Sequence, residues 1–317
     1  MKYIKILMVA LLVSVNQAWA ISIDKIYIYG DSASDGGGSV TSVLSAAKVF
    51  NPNLVNDECS FEGRLTNGHT AVEEAGAFVG LYSKATFSNF AISGFDSAQL
   101  KTLEAGGPVF INGVSYNIKS AASYGANNLV IIWIGGNDIN TYIVGKNESI
   151  VTRNNLTVSN IDAVVKSMYN KGARKFLLVG TLNFSRVPAV LGSSKEVLVQ
   201  SALTDFNDRL KLEASSLDAL LKTKSTLASV KFYDAFTPSN WFFDASNNFA
   251  NPSTLFDTSE QVSVKCSEVR AQVNLPSQKY YNWPIFDKDI FYDSLHFSRR
   301  AHLYFGFMLG QFLKSNY

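Results

Sequence analysis

The feature that most constrains this chain is a set of short apolar runs separated by long helical patterns. Leu129–Ile134 (LVIIWI) is continuously apolar and stops at Gly135-Gly136. Lys25–Tyr29 (KIYIY), Lys175–Val179 (KFLLV) and Val230–Tyr233 (VKFY) read as further strands, and Thr86–Ile92 is another candidate. Between and after them, apolar residues recur at helical spacing in Thr66–Leu81, Val158–Asn170, Ser194–Lys222 and Ser298–Leu313. Strands without polar alternation are buried on both faces, and intervening helices supply the crossovers that parallel pairing needs. The expected fold class is α/β, with a mainly parallel central sheet covered on both faces. Sites in such sheets form beyond the carboxyl ends of the strands. Polar segments follow Tyr29, Ile92 and Ile134, so chemistry is expected there.

The first twenty residues read as a secretory leader. Lys2 and Lys5 form a basic start, Ile6–Val13 is an apolar run, and Ala18-Trp19-Ala20 is a small-x-small cleavage pattern. The alternative is an uncleaved anchor, but the run is short against the roughly 20 residues that span a bilayer. Cleavage after Ala20 and an extracellular or periplasmic location are expected, with 21–317 as a single domain. No later stretch is apolar enough to span a membrane. With the two leader lysines set aside, basic and acidic residues balance, which argues against a nucleic-acid partner.

Two cysteines, Cys59 and Cys266, either form one bridge in an oxidising compartment or stay as separate thiols. Neither has metal-site spacing. The three histidines, His69, His296 and His302, are too dispersed for a metal cluster, and no cofactor is expected.

Ser32 lies in Gly30-Asp31-Ser32-Ala33-Ser34-Asp35, a turn that follows the first strand. Alone, this is ordinary turn composition. A nucleophilic serine needs a base, and histidine is the usual one. His296 follows Asp293 by three residues, so the acid can orient the imidazole and stabilise its cation. His69 reads as a turn or helix-start residue, and His302 as a packed or solvated residue of the last helix. An oxyanion needs donors. Asn137, in Gly135-Gly136-Asn137-Asp138, can offer a side-chain amide, and Ser93-Gly94 a backbone N–H.

Taken together, these segments resemble the GDSL/SGNH hydrolase family. The family's blocks correspond to Gly30–Asp35, Asn89–Gly94, Gly135–Asp138 and Asp293–His296, in family order and spanning nearly the whole mature chain. Ala33 stands where leucine is usual, a position without a chemical role. The resemblance is closest to secreted bacterial phospholipases, lysophospholipases and glycerophospholipid:cholesterol acyltransferases, through Gly63-Arg64-Leu65-Thr66-Asn67-Gly68. It implies a three-layer α/β/α fold and acyl-ester chemistry on lipid. Ser32, Asp293 and His296 would be catalytic. The Ser32 and Gly94 amides and the Asn137 side chain would form the oxyanion hole. No metal is required.

The stretch 238–289 lacks periodicity and is rich in large aromatics, among them Trp241, Phe249, Tyr280 and Trp283. It is either a packed mini-core or a lid beside the site, contacting lipid at a membrane surface. Two rival functions stand beside the lipid esterase: an esterase of acetylated polysaccharides, and a secreted binding module on a degenerate hydrolase fold.

Overall fold

The computed structural model describes residues 22–37, 61–111, 114–116, 118–145, 149–241, 291 and 295–317. The leader, Asp293, both cysteines and most of the aromatic stretch lie outside the described residues.

A five-stranded sheet organises the chain. It consists of β1 (Lys25–Gly30), β2 (Phe87–Asn89), β5 (Asn128–Trp133), β6 (Lys175–Val179) and β7 (Ser229–Tyr233), in the order β2-β1-β5-β6-β7. Every pairing within it is parallel. The expected parallel α/β class is therefore what the chain adopts. A small antiparallel pair, β3 (Val109–Ile111) and β4 (Val114–Tyr116), stands apart from the sheet.

Side chains alternate between the two faces of each strand. Tyr29, Val130, Ile132, Phe176 and Leu178 face one core, shared with α2 (Ser97–Glu104), α4 (Ile150–Asn170) and α5 (Glu196–Lys222). Ile26, Ile28, Leu129, Ile131 and Leu177 face the other, shared with α1 (Ala71–Phe78) and α7 (Arg299–Asn316). Two cores on opposite faces make the three-layer α/β/α arrangement. The helices α1 and α7 approach closely at Gly306, where an added Cβ would sit 2.4 Å from the Cβ of Glu74.

Several boundaries differ from the sequence reading. The helix expected over Thr66–Leu81 begins only at Ala71, because Thr70 caps it and its N–H donates to Glu73 Oε2 at 2.9 Å. Asn67 is used elsewhere: its Oδ1 accepts from the N–H of Arg299 at the start of α7. The strand expected over Thr86–Ile92 is only Phe87–Asn89, because Asn89 turns back to accept from the Ala91 N–H. The helix expected to start at Val158 starts at Ile150, capped by the Ser149 hydroxyl. The segment after Ile134 is not a plain turn but opens α3 (Gly136–Gly145). Pro238 to Trp241, placed above in an aperiodic stretch, belongs to α6 (Phe236–Trp241).

Among the described residues, no helix is long and apolar enough to cross a membrane.

Candidate active site

Ser32 sits in the turn directly after β1, at the carboxyl edge of the sheet. The strand ends in Gly30 because nothing larger fits: a Cβ there would come within 2.5 Å of the Trp133 carbonyl oxygen on the neighbouring strand. The Asp31 carboxylate then accepts from the Ala33 N–H at 3.0 Å, and Ser34 N–H donates to the Asp31 carbonyl at 3.1 Å. This tight turn presents Ser32 to a cavity of about 100 Å³.

His296 enters that cavity from the segment before α7. Its Nε2 lies 3.0 Å from Ser32 Oγ, a hydrogen-bonding distance. The neighbouring Phe297 is buried and pairs with Phe291 in an isolated antiparallel bridge, which anchors the segment. The α7 N-terminus is held by Ser298, its cap, and by Asn67. Asp293 lies outside the described residues, so the structure describes two of the three expected catalytic residues.

The loops carrying Gly94 and Asn137 are tied to the nucleophile turn. Asp35 is buried, and its carboxylate accepts from Ser93 N–H at 2.8 Å, Ser93 Oγ–H at 2.9 Å and Gly37 N–H at 2.9 Å. On the other side of Gly94, the Phe95 carbonyl accepts from Asn137 Nδ2 at 2.8 Å. That bond orients the amide, whose nitrogen carries two hydrogens. Gly94 is therefore clasped from both sides, with φ at +85°, a conformation that favours glycine. Asn137 lines the same cavity as Ser32 and His296, whereas Gly94 does not. The fourth residue of the Asn137 segment is structural: Asp138 accepts from Ser97 N–H and Oγ–H and from the Thr157 hydroxyl.

Burial dominates the electrostatics. It pushes the Asp31 carboxyl up to about 7, against the favourable influence of the Ala33 N–H and His296. It pushes Asp35 up to about 6, against the N–H donors that favour its charge. It holds His302 down to about 3, so this buried imidazole is neutral.

Several cavity residues were not singled out by the sequence reading. Phe184 and Val187 border a short 3-10 turn, Val190 follows it, and Val199 and Leu203 lie on α5. They make most of the wall apolar. The helical periodicity of Leu203 and Phe206 marks the buried face of α5, but not which of those residues opens on a cavity. His302 also lines the cavity.

Arg64 does not. It is buried and forms a bidentate pair with Glu73, with Nε to Oε2 at 2.9 Å and Nη2 to Oε1 at 2.7 Å. Burial works against the Glu73 charge, but the Arg64 pair outweighs it and keeps that carboxyl below its ordinary value. His69 lies 3.6 Å from Glu74, away from Ser32. Among the described residues, no group of three or more His, Cys, Asp or Glu is placed to hold a metal ion.

The sequence model of GDSL-like lipase/acylhydrolases matches residues 26–306. No curated protein matches the chain. Similar solved structures include a gut microbial diltiazem-metabolizing enzyme, with 10% identity over 92% of this chain and 47% of that one, TM-score 0.46. This chain thus spans less than half of that enzyme's length. A catalytic mutant of an acetylxylan esterase from Geobacillus stearothermophilus shares 12% identity over 92% and 94% of the two chains, TM-score 0.46. An extracellular lipase from Streptomyces rimosus shares 16% identity over 90% and 98%, TM-score 0.44.

Proposed function

The chain belongs to the GDSL-like lipase/acylhydrolase family, and on that premise we propose that it is an exported serine esterase of lipid acyl esters, most closely a lysophospholipase or phospholipase A. The observation that carries this reading is the 3.0 Å approach of His296 Nε2 to Ser32 Oγ in a cavity with a largely apolar wall.

Ser32 Oγ attacks the ester carbonyl carbon as its proton passes to His296 Nε2. The carbonyl oxygen becomes an oxyanion, held by the Ser32 and Gly94 N–H groups and the Asn137 amide. The C–O bond to the alcohol breaks, and His296 returns its proton to the departing oxygen. Water then attacks the acyl carbon as His296 takes its proton, the bond from that carbon to Ser32 Oγ breaks as His296 passes the proton to Oγ, and the fatty acid leaves. An acceptor alcohol in place of water would make the same site an acyltransferase. Asp293 completes the triad in this reading.

The apolar wall of Phe184, Val187, Val190 and Leu203 suits an acyl chain better than a sugar. The remaining parts of the proposal rest on sequence: cleavage after Ala20, export, a single domain over 21–317, a lid touching lipid surfaces in the part of the 238–289 stretch that follows α6, and a Cys59–Cys266 bridge restraining it.

Fluorophosphonate labelling and product analysis on phospholipids and lysophospholipids, with and without cholesterol, test the reading. Wild type should be labelled and release fatty acid, and a folded Ser32→Ala variant should do neither. Unlabelled wild type, or a Ser32→Ala variant that still hydrolyses esters, would end it.

A further inference from the structure

We propose that His302 is a substrate-binding residue of this site, its Nε2–H donating a hydrogen bond to an oxygen of the bound ester. This rests on the reading of Ser32 and His296 as an esterase pair.

His302 lies in the first turns of α7, six residues after His296, and is 2% exposed. Its Nδ1 accepts from the Ala71 N–H at 3.1 Å. A ring nitrogen that accepts a hydrogen bond carries no proton, so the proton of the neutral ring is on Nε2. Ala71 opens α1, so its N–H is one of the amides that no carbonyl within that helix can satisfy. The positive end of the α1 dipole also opposes a charge on the ring. Burial acts in the same direction, followed by the field of His296, and the group stays neutral down to about pH 3. Tautomer and charge are therefore both set by the fold.

The ring lines the cavity that holds Ser32 and His296. Among the described residues no acceptor meets Nε2, yet Nε2 is not one of the sealed polar atoms left without a partner. The edge carrying Nε2–H is thus left to the cavity. An N–H facing a largely apolar wall is disfavoured until it finds an acceptor. Ester oxygens are the acceptors that the proposed substrate brings into this space. A neutral donor also suits its position, since a second cation would oppose the imidazolium that forms on His296. His302 is not a second base, because Nδ1 is engaged and Nε2 already holds its proton.

The two ring nitrogens can be separated by substitution. His302→Asn places an oxygen near the Nδ1 position and keeps an acceptor for Ala71, but lacks the Nε2 donor. His302→Gln places an amide nitrogen near Nε2. The expected result is a loss of kcat/KM for His302→Asn of roughly 10- to 100-fold, with His302→Gln retaining most activity and thermal unfolding of His302→Asn close to wild type. The reverse order, with His302→Asn active and His302→Gln impaired, would assign His302 to structure alone and overturn the proposal. So would equal losses that track lowered melting temperatures. Fluorophosphonate labelling of Ser32 in the same preparations reports on the underlying reading. Labelled proteins with unchanged His302→Asn turnover overturn this inference alone, and unlabelled wild type overturns both.

Discussion

Asp35 and Ser93 are joined twice, the carboxylate accepting from the backbone N–H at 2.8 Å and from the hydroxyl at 2.9 Å. The bond pair ties the turn that presents Ser32 to the loop that carries Gly94. Its loss should therefore move the proposed oxyanion donors relative to the nucleophile. Ser93→Ala keeps the backbone bond and should cost about 1 kcal/mol in stability, with less than about tenfold loss in kcat/KM. Asp35→Ala leaves the N–H groups of Gly37 and Ser93 without their acceptor and should cost several times more. Denaturant unfolding alongside steady-state kinetics measures both, and equal effects from the two variants would refute the clasp.

Asn137 has two functions in the proposed site, donor to the oxyanion and clasp on the Phe95 carbonyl. Asn137→Ala should lower kcat by roughly 100- to 1,000-fold with little change in KM, the pattern of an interaction made only in the transition state. A loss confined to KM would place Asn137 outside the oxyanion hole.

Asp31 supplies a pH signature of stability. Its folded carboxyl titrates at about 7, against an ordinary value of 3.8. Between those pH values the unfolded chain releases the proton while the folded chain keeps it. This contribution is therefore fully present below the ordinary value and is lost as pH rises towards 7. Asp31→Asn keeps an acceptor for Ala33 but cannot ionise. Its stability relative to wild type should rise steadily from about pH 4 to pH 7 and level off above, at roughly 1.4 kcal/mol per unit of pKa separation. Chemical denaturation across that range checks it; a constant difference at every pH would contradict it.

Leu203 forms part of the apolar wall from the α5 side. Leu203→Trp should fill much of the space beside Ser32. Turnover of short-chain esters should fall by less than about threefold, while kcat/KM for long-chain lipids should fall about tenfold or more, since each buried methylene contributes about 0.8 kcal/mol. Equal losses on both chain lengths would place the acyl chain elsewhere.

The strands were legible because burial on both faces leaves an unbroken apolar run, as in Leu129–Trp133. The N-cap of α2 and the β3–β4 pair also carry local signals, although neither element is among those expected from sequence above. Asp96 and Gln99 form a capping box, and Asn112-Gly113 between Val109–Ile111 and Val114–Tyr116 is a hairpin signal. Arg64 was harder. Its segment reads as a lipase-like motif, yet Glu73, nine residues on, takes both arms of the guanidinium.

By itself, the sequence determined the parallel α/β class and the order of the segments that carry Ser32, Gly94, Asn137 and His296, because periodicity and turn chemistry are local properties. Only the tertiary structure decided which side chains meet. The parallel crossovers bring the turn after β1, the start of α3 and the segment before α7 to one sheet edge, and set Ser32 Oγ 3.0 Å from His296 Nε2. The packing of α7 on α1 decided the rest: it turned His302 from a residue inside a helix into a neutral imidazole with its proton placed by Ala71. No local pattern carries that information, since a tautomer is set by whichever donor the fold brings to the ring.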